Sequence, residues 1–208
     1  MLKLNMSKLY LSVADSAYPQ LEKISAMQRR RLSAIAKLAL NSALSALEQH
    51  KVDYMIWVSQ YGDEHKTFKI LNDVLQDQPA SPTQFSTSVH NAISGLYSIL
   101  NQDDTPSTSL AGTWNDGLIE AYAWLKTTTI SQAQVLLVYY DENLPMIYSD
   151  SQHVEPFALA GVISLTSENL MLNPIQFPSV EHYAQQANAF YHFWQNQQCV
   201  EDMGWSKI

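Results

Sequence analysis

Cysteine is almost missing from this chain of 208 residues. Cys199 stands alone, so an internal disulfide is excluded, and no Cys or His neighbours it at a metal-finger spacing. Glycine is scarce and scattered, with six in all. There is no GxGxxG, no P-loop and no GxSxG, so nucleotide binding through a glycine-rich loop has no support. Charge is thin at 15% of residues, and the net charge is −8. The three arginines form a single run, Arg29, Arg30 and Arg31, read as a solvated helix start. A nucleic-acid surface needs basic residues dispersed to face phosphates and is excluded. No apolar run approaches the ~20 residues of a membrane span, and "MLKLNMSKLYLSVADSAYP" lacks a signal-peptide core. A cytoplasmic protein is expected.

What the chain does have is apolar bulk, 46% of residues, enough for one well-packed domain over residues 1–208. Lys8 to Asp15 reads as a first strand. Over Met27 to His50, residues Leu32, Ile35, Ala36, Ala39, Leu40, Ala43, Leu44 and Leu47 recur at helical steps. Tyr54 to Gln60 is a short apolar strand, Asp63 to Gln76 a helix, and "QPASPT" a stop. A further helix is expected from about Val89, capped by Ser86 or Ser88. "PSTSLAG" gives a strand, Asn115 to Lys126 a helix, and "AQVLLVYYDE" the most evidently buried strand. "PFALAGVISLT" is another strand. Val180 to Gln197 closes the chain as a helix with Val180, Tyr183, Ala184, Ala187, Tyr191 and Trp194 on one side. Strands alternating with helices define an α/β sheet with crossovers.

Complete catalytic sets are absent from the pattern. Of the six histidines, His182 and His192 lie ten apart on one helix, almost three turns distant, and no metal site is expected. His90 enters a helix from a loop, a position read as structural more readily than catalytic. "YGDEH" (Tyr61 to His65) reads as a charged first helical turn, and "YYDENLP" as a strand ending in Asp141 and Glu142.

"SLAGTWNDGLIEAYAWL" (Ser109 to Leu125) is a strand, a tight turn and a helix, a shape in which many enzymes hold a nucleophile against the free N–H groups of a helix start. Its tip carries Thr113 and Trp114. With "MQRRRLSAIAKLAL", "VSQYGDEHKTFKIL", "SPTQFSTSVHNAISGLYSI", "GLIEAYAWL" and "VLLVYYDENLP", this elbow resembles the β-ketoacyl synthases, and more closely their chain length factor relatives. The Ser-Val-His-Asn-Ala block is the most specific. The likeness runs from about Met27 to Leu165.

The resemblance implies an α/β fold, a thiolase-like half with a mixed β-sheet covered by helices in αβα layers. It places Trp114, or Thr113 if the turn differs by one residue, where a condensing enzyme keeps its acyl-accepting cysteine. Indole is no nucleophile, and threonine needs an adjacent base. The family's histidine pair comes from a second half that has no counterpart here. No catalytic residue, metal or cofactor is implied. The implied role is that of a non-catalytic subunit, as in aryl-polyene or related polyketide systems. Its implied partner is a full-length ketosynthase in a heterodimer, with an acyl carrier protein bearing the substrate. Pocket or interface candidates are Ser88, Val89, His90, Asn91, Gly95, Ser109, Leu110, Gly112, Asn115 and Asp116. Two alternatives stand: an acyltransferase or hydrolase using Thr113 or Ser109 with His90, and a free-standing homodimeric binding module.

Overall fold

The computed structural model describes residues 1–79, 81–148, 155–179 and 183–208. Strand β1 (Leu2–Val13) leads through a 3-10 turn (Pro19–Lys23) and α1 (Ala26–Arg29) to α2 (Ala34–Leu47), then β2 (Tyr54–Ser59). Helices α3 (Glu64–Leu75), α4 (Pro82–Ser86) and α5 (Ala92–Asn101) precede β3 (Ser107–Ala111) and α6 (Trp114–Thr127). The rest is β4 (Val135–Asp141), β5 (Phe157–Ser164), β6 (Leu170–Leu172), α7 (Tyr183–Gln195), β7 (Glu201–Asp202) and β8 (Trp205–Lys207).

The strands form one mixed sheet in the order β3-β2-β4-β5-β1-β6-β8-β7. β2 pairs parallel with β3 and with β4, while β5 lies antiparallel between β4 and β1. Successive side chains of a strand point to opposite faces, so a strand buried throughout must be covered on both. β4 and β5 are such strands. Leu136, Val138 and Tyr140 pack with Ile35, Ala39 and Ala43 of α2 and with Ile93 and Tyr97 of α5. Val135, Leu137 and Tyr139 pack on the other face with Leu118 of α6 and Phe190 of α7. The three layers expected from the resemblance are present.

Several expected boundaries move, each for a local reason. The first strand begins at Leu2 instead of Lys8, and its register shifts between Ser7 and Tyr10, where Lys8 has φ 56°. That bulge inverts the in–out alternation and hides the continuity of Leu2, Leu4 and Met6 with the later half. The helix expected from Met27 is broken: Ser33 turns its hydroxyl onto the N–H of Ala36 and starts α2 afresh. Neither Ser86 nor Ser88 caps the helix after them. Their hydroxyls donate backwards to the carbonyls of Thr83 and Phe85, and Asn91 precedes α5 without a side-chain cap. On α7 the buried face carries Phe190 and Phe193 beside Ala184 and Ala187, while Tyr191 is only half-buried; Val180 lies outside the described residues. The tail after α7 folds into a hairpin at the sheet edge, turning at Met203 (φ 46°) and Gly204 (φ 84°). A two-residue turn with both central residues at positive φ suits the strand twist, and Met203 gives no sequence signal for it.

Candidate functional site

The elbow joins edge strand β3 to α6. Thr113 is its cap: its hydroxyl accepts from the N–H of Asp116 (3.2 Å), while its own N–H donates to Asp116 Oδ2 (2.7 Å). The same hydroxyl donates to that carboxylate at 2.7 Å. A capping box of this kind satisfies two orphan donors at once, and it commits the Thr113 hydroxyl proton to Asp116. Behind it the chain fills its own helix start. The Asn115 N–H donates to Gln186 Oε1 of α7 (2.9 Å), and Asn115 Oδ1 accepts from Trp205 Nε1 of β8 (2.8 Å). Gly117 lets α6 lie flat on the sheet, because a Cβ there would stand 2.5 Å from Leu137 Cδ1.

Trp114, first residue of α6, is 0% exposed. Its ring lies 5.3 Å from that of Phe190, inside a cluster with Phe193 and Trp205. An indole N–H satisfied at a pocket rim, as the elbow position suggests, is not found: Nε1 is buried with no hydrogen bond among the described residues. Gly112, Thr113 and Asn115 are buried beside it, and Asp116 is exposed.

Three sequence blocks that were read separately converge at the C-terminal ends of β2 and β4. Asp141, 4% exposed, accepts from Ser59 Oγ (3.1 Å), from the Gln60 N–H and from the Tyr139 hydroxyl. His90 Nε2 lies 3.1 Å from the Ser59 carbonyl, an acceptor, so Nε2 carries the proton. The Tyr140 hydroxyl donates to the His90 carbonyl, and the α-carbon of His90 sits against Gly62, which turns at φ +75°. Burial pushes the Asp141 carboxyl up to about 6, against the pull of its hydrogen bonds and of nearby His90. Glu142 is pushed up to about 8, first by burial and then by Asp63 and Asp141, with Lys66 opposing. Asp63, 3% exposed, has Lys66 Nζ at 3.1 Å as an ion pair, and no hydrogen bond from the described residues reaches its oxygens. "YGDEH" and "YYDENLP" are thus more than a helical turn and a strand end; their spatial pairing carries no periodic signal. No group of three or more His, Cys, Asp or Glu among the described residues is placed to hold a metal ion.

His90, Asn91, Ser94, Ser107, Thr108 and Ser109 line one cleft of about 410 Å³ between α5 and the edge strand β3. Ser94 and Ser109 share a hydroxyl–hydroxyl bond at 3.2 Å. Ser109 and His90 therefore meet in one cleft, yet neither Ser109 nor Thr113 makes a hydrogen bond to the histidine, and the activated nucleophile of the hydrolase alternative is not assembled. Val89 and Gly95 are exposed at its margin, Ser88 is half-buried, and Leu110 packs partly into the core. Around it α3 and α4 bury no residue, leaving Leu71, Val74, Leu75 and Phe85 exposed, with Ile99 of α5.

A mixed sheet between two helical layers, with a strand-to-helix elbow opening α6, defines a ketosynthase-like half of the thiolase type. The family model for the N-terminal domain of β-ketoacyl synthases matches residues 5–204, and the chain belongs to that family. The fold is shared with one chain of the complex between the ketosynthase ApeO and its chain length factor ApeC from Xenorhabdus doucetiae, at 24% identity and a TM-score of 0.81, covering 99% of this chain and 100% of that one. PksG, an HMG-CoA synthase from Bacillus subtilis, is matched at 12% identity and a TM-score of 0.49, with 88% of this chain over 46% of that one. No curated protein matches the chain.

Proposed function

We propose that this chain is a non-catalytic ketosynthase-like subunit of the chain length factor type. It pairs with a full-length β-ketoacyl-ACP synthase in the cytoplasm and helps bound the pocket into which an acyl or polyene chain grows. The observation that carries this reading is the filled elbow. The resemblance puts Trp114, or Thr113 if the turn differs by one residue, at the place of the acyl-accepting cysteine; Trp114 is wholly buried, Thr113 is a helix cap, and the N–H groups of Asn115 and Asp116 are taken by Gln186 and Thr113. An elbow whose donors are consumed internally has none of these to offer a developing oxyanion.

The likeness to the ApeO–ApeC pair supports a heterodimer, and the open edge supports its geometry. β3 stands at the end of the sheet with a polar cleft between it and α5, a helix that leaves Ile99 exposed. Unpaired edges of this kind are taken up by a partner strand. Ser88 to Gly95 and Ser107 to Gly112 are then the contact segments.

Co-expression with the ketosynthase partner followed by size-exclusion chromatography tests the pairing; the two are expected to co-elute. Separate elution, or a homodimer of this chain alone, would sink it. Incubation with labelled acyl-carrier substrate is expected to leave the chain unmodified, and a covalent acyl adduct on Thr113 or Ser109 would restore the enzyme alternative.

A further inference from the structure

Three buried oxygens beyond the ends of β2 and β4 lack a hydrogen-bond donor. Asp63 opens α3 at the position where an aspartate ordinarily caps a helix, yet its side chain caps nothing there. Both of its oxygens, and Oε1 of Glu142, are sealed from solvent with no hydrogen bond from the described residues. An ionised carboxylate only accepts, and buried acceptors left unpaired are costly, so these groups call for a donor between them. Among the described residues Lys66 pairs with Asp63, at 3.1 Å, and no basic group pairs with Glu142.

The helix that Asp63 opens has few other anchors. α3 buries no residue, and neither does α4 after it. Its side-chain hydrogen bonds to other elements lie in its first turn. Glu64 accepts from the Tyr148 hydroxyl (2.8 Å), His65 Nε2 meets the Asn143 carbonyl (2.9 Å), and the Thr67 hydroxyl donates to the Ser88 carbonyl (3.4 Å). A segment with so little buried apolar surface opens locally at low cost.

We propose that Glu142 and Asp63 share one proton, and that this acid–carboxylate pair is a clasp holding the start of α3 to the end of β4, so that losing the proton frees α3 and α4 to open while the sheet stays folded. The proton supplies the donor that the three oxygens lack. Two carboxylates close together in a dry site do not both ionise without strong repulsion. Facing the pair are Lys66 from α3, Asp141 and Tyr140 from β4, and, through Asp141, the Tyr139 hydroxyl and His90 from the loop before α5. Burial, then Asp63 and Asp141, push the Glu142 carboxyl up to about 8. A carboxyl raised in the closed state contributes fully below about pH 4, and that contribution is lost as pH climbs to 8. The clasp is independent of the chain length factor reading and acts whatever partner the chain has.

Hydrogen–deuterium exchange of the whole chain tests the clasp, read by mass spectrometry at pH 6 and pH 8, corrected for intrinsic rates, and repeated in low urea. In wild type, α3 is expected to be less protected than α2 and insensitive to low urea, the mark of a local opening, while α2 responds to it. Protection of α3 is expected to fall about tenfold or more from pH 6 to pH 8. Glu142→Gln, which puts a permanent N–H donor in place of the proton, is expected to abolish that fall, as is Asp63→Asn. Glu64→Ala, which removes the Tyr148 bond only, is expected to lower α3 protection equally at both pH values. Exchange of α3 only together with α2, or a pH-dependent fall that survives in Glu142→Gln, overturns the clasp. Recovery of α3 protection at pH 8 in potassium or calcium chloride, compared with choline chloride at equal ionic strength, also overturns it, by putting a cation where the proton is placed.

Discussion

Trp114, the first residue of α6, packs as a core side chain at the tip of the strand-to-helix elbow. Its ring is enclosed by Phe190, Phe193 and Trp205 and touches no solvent. Truncation to alanine leaves a void that rigid neighbours cannot close, so Trp114→Ala is expected to cost about 3–5 kcal/mol. Trp114→Phe is expected to cost much less, since the indole N–H has no partner to lose. Urea unfolding of the two variants checks both, and product length from the ketosynthase complex is expected to stay unchanged wherever the variant remains folded. A changed product distribution with unaltered stability would put the ring at a pocket wall. Gly117 is the companion case. Its Cβ position collides with Leu137 and meets Val58 at 3.0 Å, so Gly117→Val is expected to lose roughly 1–3 kcal/mol or more by overpacking, read in the same titration.

At the scale of elements the decisive feature is the free edge of β3. Thr108 is its second residue, opposite Ile56 of β2, and lines the cleft with Ser107 and Ser109. A charged side chain is a standard means of keeping a sheet edge unpaired. Thr108→Lys is accordingly expected to abolish co-elution with the ketosynthase while shifting the melting temperature by no more than a few degrees, as surface substitutions do. Co-elution of the variant would move the contact away from β3. Elements with a clean period were legible in the sequence: β2, β4 and β5 as apolar runs, α6 and the core stretch of α2 as helical repeats. The rest was hidden by local chemistry that breaks periodicity, namely the bulge at Lys8, the cap at Ser33, and a hairpin turning on Met203. The site was half legible. Thr113, Trp114 and His90 stood out by position, but Ser59, Asp63 and Lys66 gain meaning only when β2 and β4 place them beside Asp141 and Glu142. Gln186 and Trp205, which fill the elbow from distant segments, had no local signal at all.

At the scale of the molecule, the buried carboxylates tie stability to pH. Asp141 and Glu142 are held at about 6 and about 8 in the folded chain, well above their ordinary values, chiefly by burial. The folded state therefore binds more protons than the unfolded state between about pH 4 and pH 8. Stability falls as pH rises where the native state holds the extra protons. The contribution of these two groups is thus complete below about pH 4 and is lost progressively as pH climbs through 6 and then 8. The groups facing them are Asp63 and Lys66 from the start of α3, His90 from the loop before α5, and Tyr139 on β4 itself. Lys66 supplies one positive charge against Asp63, Asp141 and Glu142, so ionising Glu142 adds a charge that the cluster does not balance. Glu142→Gln keeps the shape and removes that charge. The variant is expected to unfold at higher urea than wild type at pH 8.5, to match it more nearly at pH 5.5, and to show a flatter profile between. Lys66→Met is expected to act in the opposite sense, destabilising the chain most at pH 8.5. Parallel profiles for Glu142→Gln and wild type would show that Glu142 already ionises at an ordinary carboxylate pH in the folded protein.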